Sequence, residues 1–256
     1  MFIISHYAGT DQHNCSLDNC IKSLIMHYGN EIPIFIVDDH SPVPIPEHIK
    51  NMSNVRVDSN PFPKSGEVGS MYWYLKHPEV GPHAFIIHDS MIAMHAIDPI
   101  KCLKENQVCL LWYFDRAFGY HIERIIGLLQ NIIETSKSKS DKHHLIQNFL
   151  NNAGKTWVGS FGISALVTHE RLSYMQELYN LFGCISKIVT REDREAFERI
   201  FGMISCLSQN KVTSICGNIF DHPHMNTGYF SKMTLDELQS QKQNYKAPFL
   251  KCWFGR

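Results

Sequence analysis

The amino-acid sequence predicts an α/β fold: an open, mostly parallel central sheet flanked by helices, with a helix-richer carboxyl-terminal part. Three observations predict it. Short apolar runs alternate with stretches whose apolar residues recur at helical spacing. The runs are continuous rather than alternating, as expected of strands covered on both faces. The strand–helix–strand order through residues 1–115 is that of a parallel sheet built from crossovers.

Each element has its own signature. Phe2-Ile3-Ile4-Ser5 is the first strand. Leu17, Cys20, Ile21, Leu24, Ile25 and Tyr28 then give one apolar helical face. Ile34-Phe35-Ile36-Val37 is a second strand closed by Asp38-Asp39, and Pro42, Pro44 and Pro46 make the next stretch a loop. Val55-Arg56-Val57 is a third strand, and residues 66–76 form a helix. Residues 84–87 are a fourth strand ending in His88-Asp89-Ser90, and 108–114 a fifth. Ile122, Ile125, Ile126, Leu129, Ile132 and Ile133 form a helical stripe, and the polar run over 136–142 is an exposed connection. Residues 163–168 read as a strand. Phe197, Ile200, Phe201 and Ile204 are the apolar face of a later helix.

Composition excludes several classes. Of the 256 residues, 44% are hydrophobic and 19% charged, a balance that buries a core rather than staying disordered. Lys plus Arg is 24 against 25 Asp plus Glu, so no global basic field exists to hold nucleic acid by counterion release. The eight cysteines contain no Cys-x-x-Cys pair, so a zinc ribbon or thioredoxin-type site is not expected. They read as free, mostly buried thiols in a reducing, cytoplasmic setting. The first residues lack a charged leader, and no run of about 18 apolar residues occurs, so no transmembrane segment is expected. No internal repeat or boundary divides the chain, which reads as a single domain over 1–256.

Five segments can carry chemistry. Asp38 and Asp39 end a buried strand, where a carboxylate can accept hydrogen bonds from a ribose diol or a base edge; acids there also simply turn the chain. His88 and Asp89 can hold a divalent ion shared with phosphate oxygens, or merely terminate their strand. In Asp221-His222-Pro223-His224 an extended backbone puts two imidazoles on one side, suited to a metal; the plainer reading is a polar loop. Thr190 with Asp193 reads as a capping box, and Glu192 and Asp193 in a first turn favour the helix dipole. A carboxylate held there is also a well-fixed general base. Gly159-Ser160-Phe161-Gly162 permits close backbone approach to a ligand, or a bulge before the next strand. It is not a phosphate loop, because no Gly-Lys-Ser/Thr follows.

In this order, the segments resemble a glycosyltransferase of the GT-A fold, closest to the family 2 type. Ile34-Phe35-Ile36-Val37-Asp38-Asp39-His40-Ser41 is the most specific match, to that family's nucleotide-binding strand. Asn60 followed by Gly66 and Gly69 resembles its next loop and helix, and His88-Asp89-Ser90 takes the place of its Asp-x-Asp motif. Gly159-Ser160-Phe161-Gly162 resembles its acceptor-side glycine segment, and Thr190-Arg191-Glu192-Asp193 with Arg199 its base motif and downstream arginine. The resemblance covers roughly residues 1–205.

The resemblance implies transfer of a sugar from a nucleotide-diphosphate donor to a glycan or other hydroxyl acceptor, with inversion. Residues 1–115 would bind the nucleotide sugar and 116–256 would form the acceptor side. Asp38, Asp39, Asn60 and Asp89 would bind the donor, and Asp193, with Glu192 second, would be the base. Asp89, helped by His88 and by His222 or His224, would hold Mn²⁺ or Mg²⁺. Here the sequence departs from the family, since His88-Asp89-Ser90 has one acid where Asp-x-Asp has two. Asp89 alone, His88 as a ligand, or a metal-independent enzyme with Arg191, Arg194 or Arg199 on the diphosphate all stay open. A non-catalytic nucleotide-sugar or glycan-binding relative is the alternative from another class. A sugar nucleotidyltransferase is a further one, disfavoured because His6-Tyr7-Ala8-Gly9-Thr10 is poor in Gly, Lys and Arg.

Overall fold

A computed structural model of the chain describes residues 1–103, 107–116, 121–136, 143–152, 157–209, 213–221, 237, 240 and 247–252. The first half runs β1 (Phe2–His6), α1 (Asp11–Tyr28), β2 (Ile34–Asp38), α2 (Glu47–Lys50), β3 (Val55–Ser59), α3 (Glu67–Lys76), β4 (His83–His88), β5 (Met91–Ala93), α4 (Pro99–Leu103), β6 (Val108–Leu110) and β7 (Tyr113–Phe114). The second runs α5 (Ile122–Glu134), α6 (His143–Asn152), β8 (Gly159–Ser160), β9 (Ala165–Thr168), α7 (His169–Tyr179), α8 (Arg191–Ser208), β10 (Thr213–Ser214) and β11 (Phe249–Lys251).

Seven strands pair in the order β10-β6-β9-β4-β1-β2-β3. Every neighbour is parallel except β9, which is antiparallel to both β4 and β6. Two short antiparallel ribbons, β5 with β11 and β7 with β8, sit beside this sheet.

The continuous apolar runs are explained by two layers. Side chains leave a strand on alternate faces. Phe2, Ile4, Ile34, Ile36, Phe85 and Ile87 enter one layer, under Leu17, Cys20, Ile21 and Leu24 of α1. Ile3, Val37, Ala84 and Ile86 enter the other, with residues of α3, α5, α7 and α8. The Phe2 and Phe85 rings stack across the β1–β4 pair with centroids 5.0 Å apart. A strand with helices on both sides has no polar face, so alternation disappears from its sequence.

Two sequence expectations shift. The stretch 108–114 is two strands, β6 in the main sheet and β7 in the ribbon with β8. The stretch 163–168 is strand only from Ala165, after a 3₁₀ turn over Phe161–Ile163. Helix α7 was not anticipated; its apolar residues are few, and only Leu172 and Met175 are buried. The exposed connection expected over 136–142 lies, beyond Ser136, outside the described residues. All eight cysteines are free thiols and five are buried, as expected. Among the described residues no helix is long and apolar enough to cross a membrane.

Register fixes where the site falls. His6 pairs with Asp38, Asp38 with Ser59, and Ser5 with His88. The strands therefore stop level, and Tyr7, Asp39, Asn60 and Asp89 follow along one edge, where open parallel sheets bind ligands.

Candidate active site

A cavity of about 400 Å³ opens at that edge. Its floor is the end of β1 and β4 with Asp39, its walls are the start of α3, the turn Phe161–Ile163 and one face of α8, and Lys251 of β11 closes one side. Tyr7 and Phe220, both largely exposed, give it an aromatic rim.

Asp39 lies in the cavity wall and is buried. Its Oδ1 accepts from Asn60 Nδ2 at 2.9 Å and from the Lys64 amide at 2.8 Å, and its Oδ2 accepts from the Gly66 amide at 3.1 Å. These bonds tie the loop before α3 to the end of β2. Burial pushes the Asp39 carboxyl up, against the Lys64 and Gly66 amides and Arg194. A carboxylate offers about four acceptor positions, so one remains for a ligand. Asn60 buttresses Asp39 from outside the cavity wall. Asp38 is turned away: its carboxylate accepts from the Ser41 amide at 3.1 Å and the Ser41 hydroxyl at 2.5 Å. That is the turn-forming role.

The His88-Asp89-Ser90 segment is engaged on all three side chains. His88 Nε2 donates to the Gly162 carbonyl at 2.7 Å and faces Glu67 at 3.3 Å. Burial, with Lys251 next, pushes His88 down to about 4, so it is neutral at pH 7. Asp89 is fully buried, and its Oδ2 accepts from His6 Nδ1 at 2.8 Å and from the Tyr7 amide at 3.4 Å. That carboxylate orients an imidazole in the cavity wall; the other nitrogen, His6 Nε2, is buried without a hydrogen-bond partner among the described residues. Ser90 Oγ accepts from Lys251 Nζ at 2.6 Å.

The donors among the described residues do not fit a metal ion. Among the described residues no three His, Cys, Asp or Glu side chains gather to hold one. Asp89 Oδ2 is taken by His6 and Tyr7, and the Lys251 ammonium stands beside Ser90. His222 and His224, the expected helpers, lie outside the described residues.

Helix α8 settles which acids face the cavity. Arg191, Arg194, Glu195 and Glu198 line it, a spacing of three and four that makes one helical stripe. Asp193 is off that stripe. Its Oδ2 accepts from the amides of Val189 and Thr190 at 3.2 and 2.9 Å and from the Thr190 hydroxyl at 2.8 Å, and its Oδ1 from Arg124 at 2.5 Å. Of the two roles open to Asp193, this geometry is the cap. Burial works to raise its carboxyl, yet Thr190, Val189 and Arg124 hold it below the usual range. Glu192 also stays outside the cavity wall, its carboxyl lowered by its own amide and the Thr190 hydroxyl.

Glu198 has the opposite character. Its Oε1 accepts from the Gly162 amide at 2.8 Å, and its Oε2 lies 3.9 Å from Arg199. Burial pushes its carboxyl up to about 8, against these two partners. Gly162 thus bridges Glu198 through its N–H and His88 through its carbonyl. The peptide reaches both because Gly162 has φ +60°, and a Cβ there would stand 2.8 Å from His88 Nε2.

No protein-family model matches the chain and no curated protein matches it, so membership of family 2 stays a resemblance. Two similar solved structures are both of the galactosyltransferase LgtC. One, a crystal structure in complex with donor and acceptor sugar analogs, is 14% identical with a TM-score of 0.42. The other, of an active-site mutant, is 15% identical with a TM-score of 0.45. Each comparison covers 98% of this chain and 87% of the other.

Among the titratable cavity residues, His6, Glu67, Glu195, Glu198 and Lys251 were not singled out in the sequence. Glu198 was legible as the continuation of the stripe from Arg191 through Arg194 and Glu195, beside the apolar face of Phe197, Ile200, Phe201 and Ile204. Lys251 was not, because Ser90 lies 161 positions away.

Proposed function

We propose that this chain is a glycosyltransferase that binds a nucleotide-diphosphate sugar in the cavity and moves the sugar to an acceptor hydroxyl with inversion. One observation carries the reading: a single cavity at the carboxyl ends of a parallel sheet joins a buried carboxyl raised to about 8 to cationic side chains from α8 and β11. Transfer needs a base for the acceptor proton and positive charge for the departing diphosphate. Glu198 is the base. Its carboxylate takes the acceptor O–H proton as the acceptor oxygen bonds to the anomeric carbon. The bond from that carbon to the diphosphate oxygen breaks, and its electron pair leaves with the diphosphate. Asp39 receives a donor N–H or O–H of the nucleotide, and Tyr7 and Phe220 flank the entrance. Residues 1–115 supply the donor side, and α8 the base.

Binding raises stability by mass action, by about 2.7 kcal/mol at a hundred times Kd. Melting the purified protein against a panel of nucleotide sugars should reveal one donor whose shift grows with concentration. A panel in which no donor shifts the melt or is consumed rejects the reading. The engagement of Asp89 and Asp193 in structural hydrogen bonds favours one competing reading, a relative that binds the donor without catalysis. A donor that binds and stays intact with every hydroxyl acceptor offered would select it.

A further inference from the structure

Cationic side chains from two different elements already line the cavity, among the carboxyl groups of Asp39, Glu67, Glu195 and Glu198. Lys251 arrives on β11, which pairs with β5 so that Lys251 stands opposite Met91, next to Ser90. Its ammonium donates to Ser90 Oγ at 2.6 Å. Arg194 arrives from α8 and lines the same cavity, and both cations act on Glu67. Gly66 makes room for Arg194: a Cβ at Gly66 would stand 3.0 Å from the guanidinium, and its φ of +53° suits glycine. Arg194 Nε lies 3.7 Å from Glu67 Oε2, an ion pair too long for a hydrogen bond, so guanidinium N–H groups face the cavity uncommitted to Glu67. A divalent cation at the strand end would meet the Lys251 ammonium and find Asp89 Oδ2 already held by His6 and Tyr7.

We propose that the chain binds the diphosphate of its donor without a divalent cation, using the Lys251 ammonium and the Arg194 guanidinium in the cation's place. This rests on the reading of the cavity as a nucleotide-sugar site. When the anomeric bond breaks, the leaving diphosphate gains its electron pair beside two fixed cations. Lysine supplies a point charge and arginine a planar fork, both suited to phosphate oxygens.

The test is calorimetric titration of the full chain with UDP, GDP, ADP and CDP and with the matching nucleosides. Each is run after EDTA treatment and again with added Mn²⁺. At least one nucleoside diphosphate should bind the EDTA-treated protein, with Mn²⁺ adding little. Lys251→Met, which keeps the aliphatic bulk, and Arg194→Gln should each weaken that diphosphate ~10–100-fold, the loss expected for a charged hydrogen bond. The matching nucleoside should be unaffected, and Lys251→Arg should recover part of the loss. Circular dichroism melts confirm that each variant is folded; a variant that unfolds is replaced in the comparison by the salt dependence of wild-type binding, which should weaken as salt screens the cations. Binding that requires Mn²⁺, or that survives both substitutions in folded protein, or that ignores salt, overturns the proposal and leaves the donor-site reading standing. Failure of every diphosphate to bind in either condition overturns both.

Discussion

Glu198 titrates in the wrong range for a surface glutamate and in the right range for a base. A free glutamate titrates near ~4.3, and burial takes this one to about 8. The base form is the carboxylate, so transfer should rise with pH through about 8. Glu198→Gln keeps an acceptor for the Gly162 amide and should lower the rate ~10²–10⁴-fold while donor binding persists. Stability moves the other way. A raised carboxyl contributes stability that is full below the unfolded pKa and is lost as pH rises through about 8. Glu198→Gln should therefore melt later than wild type at pH values above that point, and an earlier melt there would contradict the assignment. Asp193 calls for the reverse experiment. Asp193→Asn removes the charge and turns one of the two oxygens, which serve the Thr190 and Val189 amides and Arg124, into an N–H donor, so it should cost ~0.5–2 kcal/mol in a denaturant melt with transfer intact. A stable variant that no longer transfers would return the base to Asp193. Asp39 and Asp38 should also part company. Asp39→Ala takes the acceptor from the Lys64 and Gly66 amides, while Asn60 Nδ2 keeps Ser65 Oγ and the Gly66 carbonyl; at ~1–3 kcal/mol for a buried orphan it should lower stability and weaken nucleotide binding. Asp38→Ala loosens only the Ser41 turn and should leave nucleotide affinity, read by titration, unchanged.

Among the elements, α8 shows how one helix serves two masters. Phe197, Ile200, Phe201 and Ile204 are fully buried and dock it, while Arg191, Arg194, Glu195 and Glu198 face the cavity. The docking stripe was legible at once from its spacing. Which acids line the cavity was not legible, because sequence alone does not say which side of the first turn meets it. A cap and a base use the same residue types at the same place, and only the hydrogen-bond partners of Asp193 separate them. The turn at Phe161–Ile163 is the second such element. Glycine segments read equally as bulges or as ligand approaches, and here Gly162 lines the cavity and also ties α8 to β4. Gly162→Ala would force a side chain into left-handed backbone and against His88, so it should lower both melting temperature and transfer, whereas Gly127→Ala, in open space on α5, should lower neither.

At the scale of the whole molecule, the fold was legible because a strand sandwiched between helices has no polar face to interrupt its apolar run. The run Ile34-Phe35-Ile36-Val37 and the buried stretch 84–87 each carry that mark in a few residues. The candidate site was legible only where it follows those strands, at Asp39 and His88. It was hidden where distant segments return to it, since no local pattern tells that Lys251 will rest on Ser90 or that His6 will meet Asp89 across 83 positions. The proposed function makes one demand of the assembled cavity that none of its parts makes alone: a donor sugar is cleaved from its diphosphate there. The most direct measurement is release of nucleoside diphosphate from a panel of nucleotide sugars, with and without hydroxyl acceptors, by wild type and by Glu198→Gln after EDTA treatment. The cavity's chemistry predicts release from one donor in proportion to wild-type protein, faster with acceptor, and a deep loss in Glu198→Gln. Release from no donor in the panel, or equal release by the variant, would contradict it.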